Sequence, residues 1–393
     1  MAPNKRFGAS LRHGLLVLAG VLQAASLAWP LAGLGQAQGQ PLWWAQVLAL
    51  ATLMGLLPTS PDWRHAALRG WIFATTWLAC TFGWLFTSMH TYGGLAAPLA
   101  VLAVLALAGL LALYYAVAAG IFRSLALRHP LGAAMVFAAL WLLAELARGL
   151  LLTGFGWGAI AYAHIDGPLA GLLPWMGLYG TSFVAALLAA SLALGWRALR
   201  RANWGDVWKS AVVVMVPVLL ASWLPSPQGG TAGTLDVTLL QGNIPQNEKF
   251  DSETGVLKAL QWYGDQLQHN TSALVITPET AVPLLPAQLP AGYWQALQQR
   301  FATGGQAALV GVPLGSFSAG YTNSVVGFKP GQTEPWRYDK HHLVPFGETI
   351  PAGFSWFMQY ANIPMSSFSR GPAMQPPLAV AGQNVAVNIC YED

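Results

Sequence analysis

Three short motifs carry side chains suited to acyl chemistry: Glu279 in TPETAVP, Lys340 in YDKHHLVPFGE and Cys390 in NICYED. A cysteine attacks carbonyl carbon as its thiolate, and a nearby ammonium can hold that thiolate or the oxyanion it creates. A carboxylate in a partly apolar setting can serve as the general base. Glu279 follows the apolar run 273–276 directly and is flanked by Pro278 and Pro283, so it reads as a residue fixed at a strand end. Cys390 closes the run VAVNI, 385–389, which has the pattern of a core strand; a side chain at such a strand-to-turn junction is presented while its backbone stays rigid. Singly, each has a commoner reading: a solvated loop carboxylate for Glu279, a small buried hydrophobe for Cys390. His341 and His342 beside Lys340 invite a metal, but neighbours in an extended segment point to opposite faces and no ligand cluster accompanies them. Neither a metal nor a cofactor is expected. Glu348, later in the same motif, is placed to orient Lys340 or to act as a second carboxylate.

The elements that must position these residues fall into two chemistries. Only 9% of the chain is charged and 55% is hydrophobic, against about 25% charged in soluble domains, so a polytopic membrane protein is indicated. Seven apolar runs approach bilayer-spanning length: about 12–33, 42–58, 69–88, 96–121, 131–153, 168–195 and 207–224. The division expected is a membrane domain over 1–224, a Pro/Gln/Gly/Thr-rich linker over 225–234, and a water-facing α/β domain over 235–393. The membrane part holds 12 Lys/Arg against 4 Asp/Glu, the remainder 7 against 11. The basic excess therefore reports topology rather than nucleic-acid binding. Lys and Arg occur at the N-terminus and then at 64–69, 123–128 and 197–209, while loops 34–41, 89–95 and 154–167 carry none. This places the N-terminus in the cytoplasm and, after an odd number of spans, the α/β domain outside. Cys80 lies in an apolar run and Cys390 in the water-facing part, so no disulfide is expected between them.

Inside the apolar bundle, Glu145 and Arg148 are the opposite-charge pair within a predicted span; their i,i+3 spacing predicts mutual neutralisation on one helix face. They are read as a helix-packing pair, or as a polar lining beside a lipid headgroup extended by the TGFGW loop. In the α/β part, strands are expected at 235–240, 273–276, 307–312, 322–328 and 385–389. Helices are expected at 251–269, capped by Asp251 or Ser252, and near 290–302.

The three motifs in this order resemble the carbon–nitrogen hydrolase (nitrilase) superfamily, with its Glu-Lys-Cys triad on an αββα sandwich. The chain is more closely similar to the apolipoprotein N-acyltransferase family: QGNIPQ, TPETA, KHHLVPFGE, MSSFSRG at 365–371, ICYE at 389–392, and the preceding bundle with ELARG…TGFGW. The resemblance implies a polytopic helical bundle fused to a nitrilase-like domain in a bacterial inner membrane. It implies that an acyl chain passes from a phospholipid, typically phosphatidylethanolamine, to the N-terminal amine of a diacylglyceryl-cysteine on an apolipoprotein. By motif position Cys390 would be the nucleophile, Glu279 the base and Lys340 the oxyanion-stabilising residue. Glu348 and Glu392 would be supporting carboxylates, and Tyr391 would shape the pocket. Phe250 stands where the family shows a tryptophan, which puts its pocket role in question. The resemblance also implies that the second half of the sandwich and a final span lie beyond Asp393.

Both substrates would be anchored in the bilayer, and the aromatic-rich segment 354–368 is a candidate lid touching lipid. Two competing readings are a membrane-tethered amidase or nitrilase, which would pass the acyl group to water, and a transporter or scaffold with a degenerate external domain. Transport wants intramembrane charge along a pathway, and only Glu145 and Arg148 qualify.

Overall fold

A computed structural model describes residues 5–33, 36–127, 129–225, 233–316, 318–332, 334–345, 347–350 and 368–392. The chain divides into two compact units, Met1–Gly229 and Gly230–Asp393. The candidate lid at 354–367 and most of the linker lie outside the described residues.

Among the described residues the first unit holds eight α-helices: α1 (Lys5–Leu27), α2 (Trp43–Leu56), α3 (Trp63–Thr81), α4 (Trp84–Thr87), α5 (Ala97–Ser124), α6 (Pro130–Leu150), α7 (Leu173–Leu199) and α8 (Trp204–Trp223). Among the described residues five helices are long and apolar enough to cross a membrane. The pair Trp63–Thr81 and Leu85–Tyr92, bent by 58°, raises this to six as one broken span, and Trp43–Thr59 is a shorter apolar helix. The first span, expected over 12–33, ends at Leu27 because Pro30 cannot donate to a continuing helix. Chemistry at the ends sets several boundaries. Asp62 caps α3 by accepting from His65 N–H at 3.0 Å, and Asn203 caps α8 through Asp206 N–H at 3.3 Å. Between α3 and α5 the crossing is close: a Cβ on Gly70 would meet Tyr115 O at 2.8 Å.

Glu145 and Arg148 do not close on each other as expected. Arg148 spends its guanidinium on the main-chain carbonyls of Phe155 and Trp157, each at 2.6 Å, Gly156 at 3.2 Å, and the Tyr115 hydroxyl at 3.0 Å. Glu145 accepts from Ile160 N–H at 2.9 Å and Trp141 Nε1 at 3.3 Å. Both are buried. Non-helical backbone inside an apolar bundle needs partners for its polar groups, and this pair supplies them. Arg148 is therefore committed to the TGFGW backbone rather than free to line a headgroup site.

The second unit centres on a five-stranded mixed sheet ordered β1 (Val237–Leu239), β2 (Leu274–Ile276), β3 (Ala307–Ser316), β4 (Gly320–Phe328) and β5 (Trp336–Asp339). β1, β2 and β3 run parallel, while β4 and β5 return antiparallel. Period-2 alternation sorts the strand residues between two cores. Val275, Val310, Val312, Val326 and Phe328 pack with helices α9 (Gly255–His269) and α10 (Tyr293–Thr303). Leu274, Leu309 and Val325 face a hairpin of β6 (Leu378–Val380) and β7 (Gln383–Val385), together with Ile389. Burial on both faces explains why β2 and β3 read as near-continuous apolar runs.

Two expectations need correction here. Helix α9 begins at Gly255 rather than 251, because Asp251 turns its carboxylate onto Glu253 N–H (2.9 Å) and Thr254 Oγ1 (3.1 Å) and stabilises a turn instead of capping. The strand expected at 385–389 does not form beyond Val385. Its side chains still alternate, with Val385, Val387 and Ile389 turned to the core, but no neighbouring strand accepts its ladder among the described residues.

Candidate active site

Four of the residues singled out by motif, Glu279, Lys340, Glu348 and Cys390, with one that was not, Asn323, meet near the carboxyl ends of β2 and β3, where open α/β sheets place their ligands. Glu279 sits in the turn after β2, Asn323 near the start of β4, and Lys340 immediately after β5. Lys340 N–H donates to Asn323 O at 2.8 Å, which seats the lysine at the sheet end. The turn bearing Glu279 lies directly over Gly311 of β3. A Cβ there would collide with Pro278 O and stand 3.0 Å from Glu279 Cα, so glycine is required by close approach rather than by φ. Thr277 ties the same turn down: its Oγ1 accepts from Gly311 N–H at 3.0 Å.

The side chains form one ionic cluster. Lys340, 1% exposed, places Nζ 2.9 Å from Glu348 Oε2 and 3.5 Å from Glu279 Oε1. Asn323 donates its amide to Glu279 Oε1 at 2.5 Å and to Glu348 Oε1 at 2.7 Å. Glu348 is fixed further by Val344 N–H at 2.9 Å. Burial alone would pull the Lys340 pKa down, but the Glu348 hydrogen bond and the Glu279 charge outweigh it, and the ammonium titrates above the ordinary lysine range.

Cys390 joins this cluster from the C-terminal segment. Its backbone has φ 53°, a left-handed conformation that costs a non-glycine residue about 1–3 kcal/mol and is found disproportionately at functional sites. The residue is exposed, and its thiol lies within electrostatic reach of the Glu279 carboxylate and the Lys340 ammonium. Partial burial of the sulfur pushes its pKa up, the Glu279 and Glu348 charges push the same way, and Lys340 opposes them. The resting group is therefore a thiol.

Glu392 holds the segment in place. Its Oε1 accepts from His341 N–H at 2.6 Å and His342 N–H at 3.1 Å, and its Oε2 from Tyr338 Oη and Ile389 N–H, both at 2.9 Å. The motif around Lys340 and the motif around Cys390 are thus clasped by one carboxylate. Tyr391 is buried, with its ring edge-on to His342 at 5.1 Å. Phe250 is 64% exposed, and its ring lies 5.8 Å from Lys249 Nζ rather than in the ionic cluster. Lys249 next to it donates from Nζ to Glu279 O at 3.0 Å.

Asn323, Gly311 and Lys249 escaped the motif reading. Asn323 had a usable signal, an amide within the expected strand 322–328, since buried polar side chains are uncommon without a partner. Gly311 and Lys249 had none, because their partners are distant in sequence.

The architecture and the cluster define a class: a multi-pass membrane helical bundle joined to a nitrilase-like domain. Residues 236–393 match the carbon–nitrogen hydrolase family, and residues 19–191 match the apolipoprotein N-acyltransferase N-terminal domain. The chain belongs to the apolipoprotein N-acyltransferase family. It is 50% identical to the apolipoprotein N-acyltransferase of Verminephrobacter eiseniae, covering 96% of this chain and 72% of that protein. To the enzyme of that name from Ralstonia nicotianae it is 42% identical, covering 89% and 67%. A third, from Nitrosomonas europaea, is 38% identical over 88% and 69%.

Proposed function

We propose that this protein moves an acyl chain from a phospholipid to the N-terminal amine of a diacylglyceryl-cysteine on an apolipoprotein, through a thioester on Cys390. The observation that carries the reading is the convergence of Glu279, Lys340 and the Cys390 thiol in one cluster. Membership of the family supplies the substrate class.

Because the Cys390 pKa is raised, attack requires a base, and the Glu279 carboxylate, whose charge acts on the thiol, is the acceptor at hand. As sulfur bonds to the ester carbonyl carbon, the proton passes to Glu279 and the carbonyl oxygen becomes an oxyanion beside the Lys340 ammonium. Collapse breaks the carbon–oxygen bond, Glu279 returns the proton to the glycerol oxygen, and a lysophospholipid leaves. The lipoprotein amine, with a pKa of about 8, then attacks the thioester. Glu279 takes the amine proton and the Cys390 thiolate departs to recover it. Two half-reactions on one nucleophile make the kinetics ping-pong. Glu348 keeps Lys340 in position, and Glu392 and Tyr391 shape the turn that presents Cys390.

The reading places the protein in a bacterial inner membrane with its N-terminus cytoplasmic and the catalytic unit outside. The distribution of Lys and Arg among the loops supports that orientation.

The test is mass spectrometry of the protein incubated with acyl-labelled phosphatidylethanolamine. The label should appear on the Cys390 peptide, vanish in Cys390→Ser, and pass to a diacylglyceryl-cysteine lipopeptide when that is added. Release as free fatty acid without lipopeptide labelling would establish a hydrolase instead.

A further inference from the structure

The acyl-transfer reading leaves one cation at the site without a role. Lys249 lies on the loop between β1 and α9, half-buried, and its Nζ donates to the main-chain oxygen of Glu279 at 3.0 Å. An ammonium has three donors, so one carbonyl does not exhaust it. Among the described residues no carboxylate forms an ion pair with it. The Glu279 carboxylate is held by Asn323 and Lys340, and the adjacent Glu248 is paired with Lys258 at 3.0 Å. The Phe250 ring stands 5.8 Å from Nζ and offers only a weak counterpart. Burial lowers the Lys249 pKa while the Glu279 charge raises it, the signature of a cation partly stripped of water and lacking a full counter-ion.

Resting on the acyl-transfer reading, we propose that Lys249 binds the phosphodiester of the donor phospholipid while its ester reacts at Cys390. The carbonyl that Lys249 grips belongs to Glu279, the residue whose carboxylate charge acts on the Cys390 thiol. In a glycerophospholipid the phosphate is a few bonds from the ester carbonyl, so an ester docked at the sulfur carries its phosphate into the neighbourhood of this ammonium. Lysine recognises phosphate as a point charge and needs no bidentate geometry.

The experiment compares acylation of Cys390 by dioleoyl phosphatidylethanolamine and by dioleoylglycerol in identical detergent micelles. Wild type, Lys249→Met and Lys249→Arg are assayed alongside their thermal unfolding. Lys249→Met should cut the phospholipid-over-diacylglycerol ratio of kcat/KM roughly tenfold, through KM, as expected for loss of one charge-assisted contact. Lys249→Arg should retain the ratio. An equal fall with both donors would show that Lys249 only pins the Glu279 turn, and would overturn the proposal. In a second arm, an ether-linked phosphatidylethanolamine that cannot react is titrated against Cys390→Ser. Adding Lys249→Met should raise its Kd, and an unchanged Kd would overturn the proposal whatever the acylation assay shows. Failure of both donors to label wild-type Cys390, with Kd still sensitive to Lys249, would sink the acyl-transfer reading and leave the phosphodiester site standing.

Discussion

The side-chain amide of Asn323 lies 2.7 Å from Glu348 Oε1 and reaches Glu279 Oε1 from the same nitrogen. One neutral group thereby holds together two carboxylates that would otherwise repel each other across a single ammonium.

Replacing Asn323 by Asp puts a third carboxylate where an N–H donor belongs. Acylation at neutral pH should fall by at least tenfold, roughly the loss of one charge-assisted hydrogen bond. Activity should recover partly toward acid pH, where a carboxyl proton can replace the amide hydrogen. Asn323→Ala should lose activity without that acid shift. A pH–rate profile of Asn323→Asp unchanged from wild type would refute the arrangement.

Gly311→Ala tests the close approach under Glu279. The added Cβ must displace the turn, and a misplacement of about 1 Å in a catalytic group can cost on the order of 10²-fold. The expected signature is a fall in kcat with the protein still folded.

Lys340→Met removes the buried partner of Glu348, which would stand with its charge uncompensated. Breaking such a pair typically costs about 3–5 kcal/mol. Chemical denaturation of the variant should show a loss of that order, in addition to loss of acylation.

The Cys390 thiol is raised by burial first and by the Glu279 charge second, so its thiolate fraction grows only above the ordinary thiol range. Iodoacetamide should therefore label it slowly at neutral pH and faster with alkali. Glu279→Gln removes one raising charge and should move the labelling midpoint down while suppressing acyl-enzyme formation. Lys340→Met removes the opposing charge and should move it up.

Glu392→Gln keeps the size of the clasp but substitutes an N–H₂ for one acceptor oxygen. At least one of the donors at His341, His342, Tyr338 and Ile389 then loses its partner. A cost of about 1–3 kcal/mol is expected, with faster alkylation of Cys390 as the turn loosens. Unaltered alkylation and stability would show that the clasp does not order the segment.

Patterns local in sequence were legible without coordinates. The apolar runs announced the membrane unit, and the short strand-like segments at 273–276, 307–312 and 322–328 located β2, β3 and β4. The order of the motifs around Glu279, Lys340 and Cys390 pointed to the family. These features follow from burial and element type, which each residue's own neighbours express through periodicity. Long-range pairing was not legible. Residues 385–389 carry a strand's alternation, yet a strand exists only where another backbone receives its hydrogen bonds. Likewise the i,i+3 spacing of Glu145 and Arg148 predicted a pair, but in an apolar bundle the unsatisfied carbonyls of residues 155–157 compete for the guanidinium and win.

The amino-acid order alone determined which part enters lipid, which part carries an α/β sheet, and which three side chains are suited to the chemistry. Only the tertiary structure decided that Asn323 bridges the carboxylates, that Gly311 must lack a side chain, and that Lys249 stands behind Glu279. Each of those depends on strand register and loop closure joining residues remote along the chain, and such contacts leave no periodic trace in it.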